Sequence, residues 1–317
     1  MGRRKRTDSQ LDGLLVLHKP SGPTSAGCLN SIKKALGQGK IGHAGTLDPM
    51  AEGVLLVLLG QGTKMAGYLV SGEKVYTGAM RLGITTDTYD MEGAVVAESG
   101  LDKISQEDVR AAILSWKDLR EQEVPAYSAA KHEGKPLYEL ARKGEAVPVK
   151  EKSIEIHEVE PLEIELPTAR FRVRCQAGTY IRSLVHSLGI RLGCGAALSQ
   201  LTREACEPYW LNQAHSLDAV LGEPERFAER VIPLGKMLPH WRTLTLSTAL
   251  SALVKNGTWL PVGETGGHDL SGQPGERVML AGEQGDPLAL AEAMTRDGVL
   301  RWAILRGLWM DAAGAAT

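Results

Sequence analysis

The stretch GHAGTLDPMAEGVLLVLLG, residues 42–60, sets a polar loop directly against a buried element. Its second half, VLLVLLG, is an unbroken apolar run too short for an ordinary helix, which is the pattern of a strand buried on both faces. Its first half places one acid, Asp48, before Pro49 and among Gly42, Gly45 and Gly53. Asp-Pro commonly opens a turn, and the residue before proline is pushed to extended geometry, so a plain turn is the default reading of Asp48. Two features argue for more. The glycines let the backbone approach a ligand closely, and the loop runs straight into a strand that would hold the acid at the edge of a rigid sheet.

Outward from this stretch, LDGLLVLHKPSGPTS reads as a short buried strand, then a Gly- and Pro-rich turn, then a helix over 25–36 stopped by Gly37. KVYTGAMRLG predicts a further strand, and ISQEDVRAAILSW a helix opened by an S-x-x-D cap, whereas KSIEIHEVEPLEIEL alternates with period two and predicts a strand. In ARFRVRCQAGTYIRSLVHSLG, residues 169–189, Phe171, Val173 and Cys175 alternate with Arg170, Arg172 and Arg174, so a strand here buries one face and shows three guanidinium groups on the other. Gly178 ends it, Thr179 is placed to cap the next helix, and Tyr180 and Arg182 fall in its first turn. ERVIPLGKMLPHW, residues 229–241, reads as a linker crossing the surface. Beyond it, RTLTLS, a helix ending at Asn256-Gly257 and RVMLAGE predict a small, mostly β unit. Helices and strands mix without a strict β-α-β rhythm, so the expected class is α/β of the α+β type, a mixed, largely antiparallel sheet with flanking helices. The expected organisation is a basic N-terminus over 1–10, a main domain over 11–238, a second domain over 239–312 and a small-residue tail over 313–317.

The chain has 317 residues and net charge −2, with 43% hydrophobic and 23% charged residues, an ordinary globular composition. No apolar run approaches the roughly 20 residues of a membrane span, and the N-terminal MGRRKRTDSQ lacks an export h-region. Cys28, Cys175, Cys194 and Cys206 form no CxxC pair, so neither a zinc site nor a disulfide framework is indicated and a reducing cytoplasm fits. Asp87, Asp90 and Glu92 in TDTYDMEG depart from the calcium-loop pattern and read as a turn. Residues 244–317 carry 5 Lys and Arg against 8 Asp and Glu, so any polyanion must be held by local basic patches.

GLLVLHKPSGPTS, GHAGTLDPMAEGVLLVLLGQGTK, KVYTGAMRLGITTDTYDMEG, PAYSAAKHEGKPLYELARKG and GTYIRSLVHSLG, in this order, resemble the TruB family of tRNA pseudouridine synthases. The resemblance covers residues 13–201, and ordered blocks are more specific than any single motif. It implies a catalytic α/β domain with a C-terminal PUA-type RNA-binding domain, and conversion of one uridine in the T-arm loop of tRNA, position 55, to pseudouridine without metal or cofactor. Carried over, it makes Asp48 the catalytic acid, His43 a neighbour contacting RNA, and Tyr76 the residue that stacks on the target base. It sets Tyr180 beside that base, makes Arg182 the partner of Asp48, Leu201 an apolar wall of the pocket, and Lys64 and Lys131 residues near RNA. His18 departs from the family's D-K-P, at a position not implicated in chemistry. The expected partner is the tRNA T-arm stem-loop, with no obligatory protein partner, no membrane, and a monomeric protein. An RNA chaperone whose catalysis is secondary is the alternative; a phosphoryl-transfer enzyme would need a second carboxylate for Mg2+, and none is visible beside Asp48 in the sequence.

Overall fold

The computed structural model describes residues 10–128, 130–132, 134–145 and 147–309, except for the side chains of Lys131 and His132. The basic N-terminus, the small-residue tail and the Lys131 side chain therefore lie outside the described residues.

Strands β1 (Gly13–Lys19), β2 (Ile41–Ala44), β3 (Glu52–Leu59), β4 (Lys74–Leu82), β5 (Ile156–Glu165), β6 (Thr168–Cys175) and β7 (Ala196–Cys206) build the large sheet in the order β5-β6-β4-β7-β3-β1, with His215–Ser216 beyond β1 and β2 added to β3. All neighbours are antiparallel except β7 with β3 and β1 with His215–Ser216, so the sheet is mixed and largely antiparallel, as expected.

The apolar run in β3 has its physical reason in two cores. Successive strand side chains point to opposite faces. Val54, Leu56 and Leu58 enter one cluster with Leu14 and Val16 of β1, whereas Leu55, Val57 and Leu59 enter another with Leu15, Leu17 and helix α1 (Ser25–Leu36). The α1 boundaries are set locally. The Thr24 side chain accepts the Gly27 amide at 2.9 Å, and Gly37, at φ +71°, ends the helix in the left-handed region that glycine adopts without penalty. Helix α2 (Gln106–Leu114) carries the expected capping box between Ser105 and Asp108, and α3 (Ile181–Leu192) packs Ile181, Leu184, Val185 and Leu188 over β4, β6 and β7.

Beyond residue 241 a second sheet of five strands, Arg242–Leu246, Arg277–Gly282, Pro287–Arg296, Val299–Gly307 and Leu260–Pro261, surrounds α4 (Thr248–Lys255). It is the small, mostly β unit that the sequence predicts. No helix among the described residues is long and apolar enough to cross a membrane.

The 229–241 segment corrects the sequence reading. It is not a surface linker: Leu234, Met237 and Leu238 are buried in a cluster that joins Leu56 and Leu58 of β3 to Met279 and Leu290 of the second sheet. The Tyr209 hydroxyl donates to the Met237 carbonyl at 2.9 Å. Two prolines and a glycine gave the segment the look of a connector, but its apolar side chains close the junction between the sheets. Met237→Ala should therefore lower unfolding free energy by about 2–5 kcal/mol in urea titrations. A surface linker would show a change within about 0.5 kcal/mol.

Candidate active site

The loop between β2 and β3 carries Asp48, and three buried polar side chains fix its course. Lys19, at the end of β1 and fully buried, donates from Nζ to the carbonyls of Pro20 (2.9 Å), Pro49 (3.1 Å) and Ala51 (2.6 Å). Its burial lowers its pKa. Ser25, the first residue of α1, both accepts the Leu47 amide and donates to the Leu47 carbonyl, each at 2.9 Å. Arg203 of β7, 2% exposed, donates to the carbonyls of Val54 (2.7 Å), Thr46 (3.2 Å) and Gly45 (3.0 Å). The glycine expectation changes accordingly. A Cβ on Gly53, at φ +106°, would sit 2.3 Å from the Arg203 carbonyl, so this glycine serves the close approach of β3 to β7 rather than of a ligand.

Arg182, in the first turn of α3, meets Asp48 across 134 positions of sequence: its Nε donates to Asp48 Oδ2 at 2.9 Å. The Arg182 side chain is 5% exposed and that of Asp48 39%, and Asp48 Oδ1 has no hydrogen-bond donor among the described residues. The rest of the guanidinium is also engaged, Nη1 with the Thr88 carbonyl at 2.7 Å and Nη2 with the Tyr127 carbonyl at 2.9 Å. Asp90 Oδ2 lies 3.7 Å from Nε. This corrects the reading of Asp48 as an acid without a second carboxylate nearby. TDTYDMEG is a turn, as expected, but it folds Asp90 against the same arginine, and Asp90 is held there by the Thr88 hydroxyl (2.6 Å) and the Glu92 amide (3.1 Å). Burial first, and then the carboxylates of Asp90 and Asp48, raise the pKa of Glu92. Tyr89, at φ +66°, stacks its ring on His186 of α3 with centroids 3.7 Å apart, which ties the turn to the helix that bears Arg182.

Thr179 does not cap α3. Its hydroxyl donates to the Gln176 carbonyl at 2.9 Å, and the cap position falls on Tyr180, whose amide donates to Gln122 Oε1 at 2.6 Å while Gln122 Nε2 returns a bond to the Tyr180 carbonyl at 3.1 Å. Gln122 thus fixes the half-buried Tyr180 next to Arg182.

Tyr76 of β4 and Leu201 of β7, 8% and 7% exposed, share an apolar cluster with Leu47 and Ala51 of the Asp48 loop. They form the floor beneath it. Tyr76 faces Arg203 in register, and burial holds its phenol well above the ordinary range, opposed by that guanidinium. His43 of β2 is half-buried with Nδ1 unpartnered, and burial, aided by Arg203, lowers its pKa. Lys64 lies elsewhere: its Nζ donates to the Gly307 carbonyl at 2.9 Å, at the junction with the second sheet.

The arginine-bearing strand buries Phe171, Val173 and Cys175 and shows its arginines on the other face, as expected, but most of those arginines are already paired. Arg172 pairs with Glu204 of β7 at 2.9 Å, and Arg174 with Glu73, just before β4, at 2.5 Å and with Glu207, just after β7, at 3.0 Å, so two of the three guanidinium groups are neutralised by carboxylates. Arg170 is exposed without a carboxylate partner among the described residues. Sequence reasoning missed Lys19, Ser25, Asp90, Gln122 and Arg203. Only Arg203 left a visible signal, a charge at the inward parity of a strand between Leu201 and Ala205.

The profile of the family described as "TruB family pseudouridylate synthase (N terminal domain)" matches residues 33–181. The chain is 56% identical over 302 residues to tRNA pseudouridine synthase B of Oleidesulfovibrio alaskensis, covering 95% of this chain and 97% of that one. It is 38% identical over 281 residues to tRNA pseudouridine synthase B of Thermotoga maritima, covering 89% and 90%. Among solved structures, a Cbf5-Nop10-Gar1 complex contains a similar chain, with TM-score 0.68 and 25% identity over 94% of this chain and 85% of that one.

Burial lowers the pKa of His43, His186 and His215. Each binds its proton less readily folded than unfolded, so the stability they contribute is complete above the unfolded value of about 6.5 and is lost as pH falls below it through the lowered folded values. The thermal midpoint should drop between pH 7 and pH 5.5, and the combined His43→Gln and His186→Gln variant should drop less. Equal slopes for the two proteins would contradict the assignment.

Proposed function

The chain belongs to the TruB family of pseudouridylate synthases, isomerases that act on tRNA, and on that premise we propose that it converts uridine 55 in the T-arm loop to pseudouridine with Asp48 as its catalytic carboxylate. The observation that supports the reading best is the 2.9 Å bond from Arg182 Nε to Asp48 Oδ2, in a carboxylate whose side chain is 39% exposed and whose Oδ1 has no donor among the described residues.

The reaction breaks the N1–C1′ bond of the uridine, turns the uracil and joins C5 to the same sugar carbon; a proton leaves C5 and one is gained at N1. Nothing enters or leaves overall. What it requires of the protein is an oriented base or nucleophile and a pocket that retains the detached uracil. A carboxylate suits that task, and a guanidinium on one oxygen directs the other. The target must leave its stack at a cost of a few kcal/mol. Tyr76 supplies a replacement face, since base-aromatic stacking contributes about 1–3 kcal/mol. Leu201 and Tyr180 bound the uracil, and His43 contacts the RNA from β2. The region over 11–238 is the catalytic domain, 239–312 a PUA-type domain that adds RNA contacts, and the enzyme works as a monomer on free tRNA without a cofactor.

With unmodified tRNA transcript in EDTA, the purified protein should release tritium from C5-labelled uridine, and changing position 55 to cytidine should abolish the release. Asp48→Ala should lower turnover by more than about 10⁴-fold while tRNA binding persists. A retained rate would remove Asp48 from the mechanism. Tyr76→Leu should lower the single-turnover rate more than it weakens binding; a loss confined to affinity would count against stacking.

A further inference from the structure

The turn after β4 meets Arg182 at two points, and the residue between them is an aromatic in an uncommon conformation. Thr88 presents its carbonyl to Arg182 Nη1 at 2.7 Å, and Asp90 Oδ2 lies 3.7 Å from Nε. Tyr89 separates the two at φ +66°, in the left-handed region that a bulky side chain rarely adopts. Glycine would take that conformation without penalty. The backbone here is tied by other means. The Tyr89 carbonyl accepts the Leu198 amide at 3.0 Å, and the Met91 amide donates to the Leu198 carbonyl at 3.0 Å, so the turn is laced to β7 whether or not position 89 carries a ring. A tyrosine held at a strained position beside the site calls for an account of what its ring does.

The ring lies flat on His186, with centroids 3.7 Å apart and an interplanar angle of 9°. His186 stands four residues beyond Arg182 on α3, so both side chains leave the same side of the helix. The contact is between ring faces rather than polar atoms. His186 Nδ1 is buried with no hydrogen-bond partner among the described residues, and the Tyr89 hydroxyl reaches Glu123 Oε1 only at 3.4 Å, beyond the usual range of an O–H···O bond. Helix and turn are therefore joined twice along one side of α3, by the Arg182 guanidinium and, one helical turn on, by the stacked rings. Only the first of these joins includes Asp48, whose Oδ2 accepts from Arg182 Nε at 2.9 Å.

We propose that Tyr89 and His186 are positioning residues for the isomerisation: their stacked rings clamp the turn onto α3 and so keep Arg182 aimed at Asp48. The proposal rests on the reading of Asp48 as the catalytic carboxylate. Without the stack, the Thr88 carbonyl is free to draw away from Nη1, the guanidinium gains room to turn, and the Asp48 carboxylate loses the fixed direction of its donor. A misplacement on the order of 1 Å at a reacting group costs about 10²-fold in rate, so a modest loosening is measurable. The rings act through Arg182 and not on the uridine, which leaves affinity for tRNA unchanged.

The test reads Arg182 and the reaction separately. In isotope-labelled full-length protein the Arg182 Nε–H signal is assigned in NMR spectra by its loss in Arg182→Lys, and its exchange with solvent is followed; single-turnover rate at saturating unmodified tRNA, filter binding and thermal midpoint are measured alongside. Tyr89→Gly removes the ring while relieving the backbone, so the protein should stay folded. Its Nε–H exchange should rise and its rate fall by at least about 10-fold each, with affinity within about 2-fold of wild type. His186→Ala should behave alike, and Tyr89→Gly/His186→Ala should be no worse than either alone, because the two rings make one contact. Tyr89→Phe and His186→Phe keep a stacking face and should restore both exchange and rate. Unchanged exchange in Tyr89→Gly, faster exchange with an unchanged rate, or equal losses in Tyr89→Phe would each overturn the proposal. Faster exchange and a slower rate in a protein whose Asp48→Ala variant still turns over would leave the rings as positioning residues for Arg182 and sink the reading of Asp48.

Discussion

The site is organised by one buried guanidinium. Arg182 is bonded to the Asp48 carboxylate, the Thr88 carbonyl and the Tyr127 carbonyl, so a single planar group joins the loop after β2, the turn after β4 and the segment before residue 128. A charge this deeply buried is tolerated only when its donors are matched, and stripping one partner from such a pair typically destabilises by about 3–5 kcal/mol. The three segments therefore hold one another in place. Arginine suits the task better than lysine because its rigid fork addresses three acceptors in fixed directions.

Around this clamp the fold keeps the Asp48 carboxylate half-open while closing everything behind it. Lys19, Ser25 and Arg203 bond the carbonyls of Gly45, Thr46, Leu47, Pro49 and Ala51, in the loop between β2 and β3. Without them the loop would expose or orphan its carbonyls, and the position of Asp48 would drift. Tyr76 and Leu201 supply the apolar floor, so the polar scaffold and the apolar surface meet at the loop that carries the acid.

Local features were legible in the sequence because their causes are local. Thr24 and Gly37 bracket α1, Ser105 and Asp108 open α2, and the apolar run of β3 announces burial on both faces. The strand Thr168–Cys175 was legible for the same reason, and its alternation gives the two faces correctly. What it cannot give is the partner of each arginine, because Glu73, Glu204 and Glu207 come from distant positions. The segment over 229–241 was misread because the burial of Met237 and Leu238 arises from contacts with a sheet formed later in the chain. At the site, Asp48 by its own local signal was a turn residue; its pairing with Arg182 entered through the family resemblance, and the geometry then brought the two together. Asp90 stayed hidden since a turn acid shows nothing in sequence of the arginine it will face.

The most direct measurement is the single-turnover rate of Arg182→Lys at saturating tRNA, taken on folded protein with tRNA affinity measured in parallel. Lysine keeps the charge but cannot hold Asp48, Thr88 and Tyr127 together, and a misplacement on the order of 1 Å costs about 10²-fold in rate. The account expects a fall of at least that size with affinity for tRNA preserved. A wild-type rate, or a loss confined to binding, would contradict it.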